Sequence, residues 1–140
     1  MSHCFDSACH CGALRLAFMT DVAPSQWRVR ACQCAFCRAH GARTTSDSAG
    51  SVRFTILDSA ALVEYRFGLR TAEFLLCARC GVYIAAMVTT PRGRFATINV
   101  NALRDVADIA GAQKVTYDGE TAKQRLARRE GGWTPVLANV

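Results

Sequence analysis

The stretch CARCGVYIAAMV, residues 77–88, carries the reading of the fold, because a metal-type turn runs straight into an apolar strand. Two cysteines separated by two residues and followed by glycine make a tight knuckle. Its backbone N–H groups point at the sulfurs, and Gly81 permits the positive φ that completes it. Val82 to Met87 is then continuously apolar and reads as a central strand.

A second pair, Cys9-His10-Cys11-Gly12, stands near the start of the chain. Taken together, Cys9, Cys11, Cys77 and Cys80 supply four thiolates for one tetrahedral ion between distant strands. A closed set of this kind is structural. It would pin the N-terminal strand to the strand beginning near Val82, and such an ion contributes about 10 kcal/mol or more to folding. Arg79, inside the knuckle, and nearby backbone donors are placed to offset the double negative charge of four thiolates on zinc.

Around these motifs, alternation dominates the first hundred residues. Leu14, Leu16 and Phe18 share a face, as do Trp27, Val29 and Ala31, with Arg28 and Arg30 turned outward. Val52, Phe54 and Ile56 repeat the pattern, then Val63, Tyr65 and Phe67, then Phe95 to Val100. Turn-rich segments separate the runs at Asp21–Gln26, Thr44–Ser51 and Pro91–Arg94. Ala102 to Ala110 is read as a helical turn and Glu120 to Arg129 as a short charged helix, with Lys123, Arg125, Arg128 and Arg129 on a solvated face. Trp133 and Pro135 are expected to cap the core or to meet a second copy in a homodimer. The expected class is mainly β, with antiparallel sheets around a structural zinc and a short C-terminal helix, in a single domain over residues 1–140.

Composition bounds the rest. With 140 residues, 51% of them apolar, the chain buries a core without disulfide staples. Met1 to His10 lack the basic start and apolar run of an export signal, so a cytoplasmic, reducing setting is expected for the eight cysteines. Pairs such as Cys9/Cys11 and Cys32/Cys34 are awkward to close as disulfides. No apolar stretch approaches the roughly 20 residues that cross a bilayer as a helix. The net charge of +6 comes from 15 arginines and two lysines spread along the chain, which makes nucleic acid an unlikely partner and leaves attraction of a small acidic substrate open.

The third cluster, Cys32-Gln33-Cys34-Ala35-Phe36-Cys37, offers three ligands from one short loop and no obvious fourth. An open position is what a reactive zinc requires, although Cys4 or His40 could close it, or the loop could lie metal-free. His3 and His10 are read as surface residues. A thiolate-rich site is a poor generator of hydroxide and suits capture of another sulfur, which points to a small thiol as substrate.

Cys9-x-Cys11-Gly12-Ala13, Cys32-x-Cys34-x-x-Cys37-Arg38 with His40-Gly41, Phe74 through Cys77-x-x-Cys80-Gly81, and Asn99 to Leu103 after a strand resemble the glutathione-dependent formaldehyde-activating enzyme and centromere protein V family over roughly the whole chain. The resemblance implies a mostly antiparallel β fold, a structural zinc on Cys9, Cys11, Cys77 and Cys80, and a second zinc on Cys32, Cys34 and Cys37, the catalytic cysteines. It implies a carbon–sulfur lyase of formaldehyde detoxification that joins glutathione and formaldehyde. Arg38 or Arg43 would then meet substrate or developing charge. The alternative expectation is a non-catalytic zinc module for protein interaction or redox sensing.

Overall fold

In the computed structural model, described for residues 3–137, the strands and α-helices run β1 (His3–Ala8), β2 (Leu14–Thr20), β3 (Arg30–Cys32), α1 (Ala35–His40), β4 (Thr44–Thr45), β5 (Ser51–Ile56), β6 (Leu62–Tyr65), β7 (Glu73–Cys77), β8 (Tyr83–Thr90), β9 (Gly93–Asn99), β10 (Gln113–Val115), α2 (Ala122–Gly132) and β11 (Thr134–Pro135). They form a small sheet in the order β1-β2-β5 and a large one in the order β10-β3-β4-β9-β8-β7-β6, with β11 added against β9. Pairing is antiparallel throughout except between β10 and β3. No helix among the described residues is long and apolar enough to cross a membrane.

Alternation explains the small sheet. Leu14, Leu16 and Phe18 are buried on one face of β2 while Arg15 is exposed, and Val52 and Phe54 do the same on β5 beside exposed Arg53 and Thr55. This face meets Ile84, Ala85, Ala96 and Ile98 of the large sheet in the first core. The other face of the large sheet carries a second core, where Tyr83, Ala86 and Val88 pack with Cys37, Trp133 and Leu126. Strand β8 is therefore covered on both sides, which is why it reads as an unbroken apolar run.

Three local expectations shift. The strand expected from Trp27 begins only at Arg30, although Trp27 and Val29 are buried. Trp27 is held instead by its indole N–H donating to the Val22 carbonyl at 2.8 Å and by edge contacts with Phe5 and Phe18. The turn expected over Ala102–Ala110 is a single 3-10 turn at Val100–Ala102, capped by the Asn99 side chain. Helix α2 starts later than Glu120, because Thr121 is its N-cap in a reciprocal capping box with Gln124.

Helix α2 is also not the solvated helix its charges suggest: Arg125, Arg128 and Arg129 are partly buried, and the helix packs on β8 and β9. Period and charge describe one helix at a time and carry no record of what covers it. Glu120, just outside the helix, accepts hydrogen bonds from Arg125 at 3.1 Å and from Arg128 at 2.8 and 3.1 Å. Trp133 closes α2 at 5% exposure and so caps the second core.

Two measurements test this packing. A Cβ at Gly50 would lie 2.4 Å from the Met19 carbonyl oxygen, whereas one at Gly111 meets nothing within 4 Å. Urea melts should show Gly50→Ala losing about 1–3 kcal/mol and Gly111→Ala changing by less than about 0.5 kcal/mol; equal effects would contradict the close approach of β2 to the Gly50 turn. Hydrogen bonds from Arg128, and then from Arg125, hold the Glu120 carboxyl below the usual carboxylate range. The stability this contributes is complete above the unfolded value of about 4.3 and vanishes as pH falls through the depressed folded value. Glu120→Gln should therefore lower the thermal midpoint by about 2 °C at pH 7 and leave it unchanged near pH 3, read by circular dichroism.

Candidate functional site

All eight cysteines are free thiols, and seven of them gather into two clusters. Cys9 and Cys11 sit in the turn between β1 and β2, while Cys77 ends β7 and Cys80 lies in the turn that leads to β8. Their sulfurs all lie within 4.8 Å of one another. Cys11 Sγ is 3.7 Å from Cys9 Sγ and 3.5 Å from Cys77 Sγ. A tetrahedron of sulfurs at zinc–sulfur bonds of about 2.3 Å has edges of about 3.8 Å, so the donor set and its spacing fit zinc.

The turns are built as the spacing requires. Gly12 and Gly81 take φ of 83° and 78°, and their N–H groups donate to the carbonyls of Cys9 and Cys77. The Leu14 N–H donates to Cys9 Sγ at 3.3 Å. Burial pushes Cys80 up, but backbone N–H donors from Cys11 and Val82 outweigh it and bring the thiol down to about 6. On Cys77, burial is likewise outweighed by the Cys80 and Arg79 N–H groups. Of the two kinds of donor expected to offset the thiolate charge, Arg79 and nearby backbone N–H groups, the backbone amides face the sulfurs, while the Arg79 guanidinium is paired with Asp58.

The second cluster sits on the far face of the large sheet. Cys32 ends β3, Cys34 is the N-cap of α1, and Cys37 lies in the first helical turn, buried; the Cys37 N–H donates to Cys34 Sγ at 3.4 Å. The three sulfurs lie within 4.8 Å of one another, and among the described residues no fourth ligating side chain joins them. His40 is exposed and packs its ring on Phe36 and Tyr83, and Cys4 is exposed on β1 in the other sheet. His3 and His10 are exposed, as expected. A hydrogen bond from Cys37 draws the Cys32 thiol down to about 5, and the same bond, with burial, pushes Cys37 well up. The cluster is thus poised to lose a proton. This thiol donor set fits a soft ion such as zinc.

Cys32, Cys34 and Cys37 line a cavity of about 90 Å³ walled by Phe67, Phe74, Tyr83 and Trp133. A single water needs roughly 10–15 Å³, so there is room for a group of several heavy atoms. Burial raises the Tyr83 phenol well above its ordinary range, so it stays protonated.

Four arginines, Arg30, Arg125, Arg128 and Arg129, also line the cavity, with Asp118 as its acidic residue. Arg30 donates to Ser46 Oγ at 2.6 Å and Thr97 Oγ1 at 3.4 Å. Arg129 donates through Nη1 to Thr71 Oγ1 at 2.9 Å and stacks over Trp133 at 4.8 Å, while its buried Nε has no partner. Burial, and then Arg128 and Arg125, lower Arg129 to about 10, which leaves it charged at neutral pH.

Every cysteine expected as a ligand is therefore in place, and the arginines are not. Arg43 is engaged with Asn101 at 2.7 Å, Arg38 is exposed on α1, and neither lines the cavity. Arg30, expected to face solvent, is covered instead because α2 packs over that face of the large sheet. The available signal for α2 was the Arg128-Arg129 pair, five and four residues before Trp133, a helix end with an aromatic anchor.

The profile described as glutathione-dependent formaldehyde-activating enzyme matches residues 4–119, a span that holds both clusters and stops before α2. A Rhodobacter sphaeroides protein of known crystal structure is similar at 28% identity with a TM-score of 0.56, over 79% of this chain and 99% of that one. No curated protein matches. By its profile match across both cysteine clusters, the chain belongs to the glutathione-dependent formaldehyde-activating enzyme family.

Proposed function

We propose that the protein is a zinc-dependent enzyme of the carbon–sulfur lyase type that joins a small thiol, glutathione-like, to an aldehyde, formaldehyde-like, within one zinc-binding domain. The carrying observation is a three-cysteine cluster with no fourth ligating side chain among the described residues, lining a cavity that holds a group of several heavy atoms and is rich in arginine. Cys9, Cys11, Cys77 and Cys80 would hold a structural ion that only maintains the fold. A zinc ion on Cys32, Cys34 and Cys37 would supply a soft Lewis acid that keeps a substrate sulfur deprotonated.

The residues of the chain do the rest. Cys34 and Cys37 are locked by the first turn of α1, so the cluster is preorganised. Phe67, Phe74, Tyr83 and Trp133 limit water, and the arginines draw in an anionic thiol. In the reaction the thiol sulfur bonds to the carbonyl carbon and the C=O π pair moves to oxygen. The proton lost by the thiol ends on that oxygen, giving an S-hydroxymethyl product with no net oxidation. Eight free thiols suit a reducing compartment such as the cytoplasm, where detoxification of formaldehyde would take place.

The test is the rate of S-hydroxymethylglutathione formation from glutathione and ¹³C-formaldehyde, measured by NMR exchange against the uncatalysed background. Cys34→Ser should lower the catalysed rate by about 100-fold while moving the thermal midpoint by only a few degrees. Cys80→Ser should abolish the cooperative melt, since about 10 kcal/mol of metal binding is coupled to folding there. A wild-type rate equal to background, or equal loss of stability in both variants, would overturn the assignment.

A further inference from the structure

Helix α2 lies beyond the family-matched residues 4–119, yet it supplies Arg125, Arg128 and Arg129 to the cavity over the second cluster. Arg125 and Arg128 share the single carboxylate of Glu120. Arg129 and Arg30 have no carboxylate partner among the described residues, though both are partly buried. Leaving a cation and a buried N–H donor without an anion costs free energy, so a fold that retains both is completed by something that arrives.

Arg129 also shows how it would be used. Its Nη1 is held by Thr71 and its planar face lies over the Trp133 ring, so the guanidinium is fixed, and its buried Nε has no acceptor. A guanidinium edge matches a carboxylate in two-point geometry.

Building on the thiol reading above, we propose that Arg129 of α2, with Arg30 of β3, forms a carboxylate subsite that selects an acidic thiol over a neutral one. Helix α2 is then a specificity element of this chain, lying beyond the residues that the family profile matches. Arg129 acts as a binding residue and takes no part in the bond-forming step.

Two thiols of similar size test this on the zinc-loaded protein: 3-mercaptopropionate, which carries a carboxylate, and 2-mercaptoethanol, which does not. Wild type should favour the acid by roughly 30-fold in kcat/KM with formaldehyde, chiefly through KM. In Arg129→Met the preference should collapse to within about threefold, and Arg129→Lys, which keeps charge without the fork, should fall between. Calorimetry of 3-mercaptopropionate without aldehyde should show the same order of affinities, and a circular dichroism melt shows that each variant is folded. Acid-selective binding lost in Arg129→Met supports the subsite even if no turnover occurs, in which case it is the formaldehyde reading that fails. Turnover or binding that does not distinguish the two thiols, or a preference unchanged in Arg129→Met, overturns the subsite and leaves the reading standing.

Discussion

The convergence of four cysteine sulfurs from two hairpins is the constraint on which the rest depends. Cys9 and Cys11 belong to the small sheet, Cys77 and Cys80 to the large one, and their Sγ atoms lie within 4.8 Å of one another. Joining them clasps the two sheets at one end, where the first core between Leu14, Phe18, Ile84 and Ile98 begins. Four thiolates in such proximity repel unless a cation holds them, so metal and fold are coupled. The knuckle amides, with Gly12 and Gly81 in the left-handed region, arrange donors toward the sulfurs before any ion arrives.

The large sheet, once clasped, offers its second face to chemistry. Strand β8 divides the two layers, burying Ile84 and Ala85 toward the small sheet and Tyr83, Ala86 and Val88 toward the helices. On that second face the end of β3 and the first turn of α1 present three thiols to a cavity, and α2 closes the side with arginines. The clusters therefore differ by surroundings as much as by ligand number. The first is formed by its own two turns, with Cys11 at the surface, and the second opens onto a space lined with cations.

Much of this was legible in residue spacing. A short Cys-x-x-Cys-Gly turn admits few geometries, so the knuckles and the strand after Gly81 could be read locally. The meeting of Cys11 with Cys77, 66 residues away, followed from counting ligands and not from any local pattern. The same period-two logic failed at Arg30, because alternation separates two faces without telling which is wet. It failed again on α2, where charge normally marks solvent and here marks a cavity. The parallel strand β10, only Gln113–Val115 and mostly exposed, had no apolar pattern to betray it.

The central claim, a closed structural ion and an accessible second one, is tested most directly by counting zinc per chain while watching the fold. Protein purified without chelator should carry two zincs, and washing with excess glutathione should remove one while the thermal melt stays in place. A single zinc throughout, or a melt that collapses as the first zinc leaves, would contradict the division of labour between the two cysteine clusters.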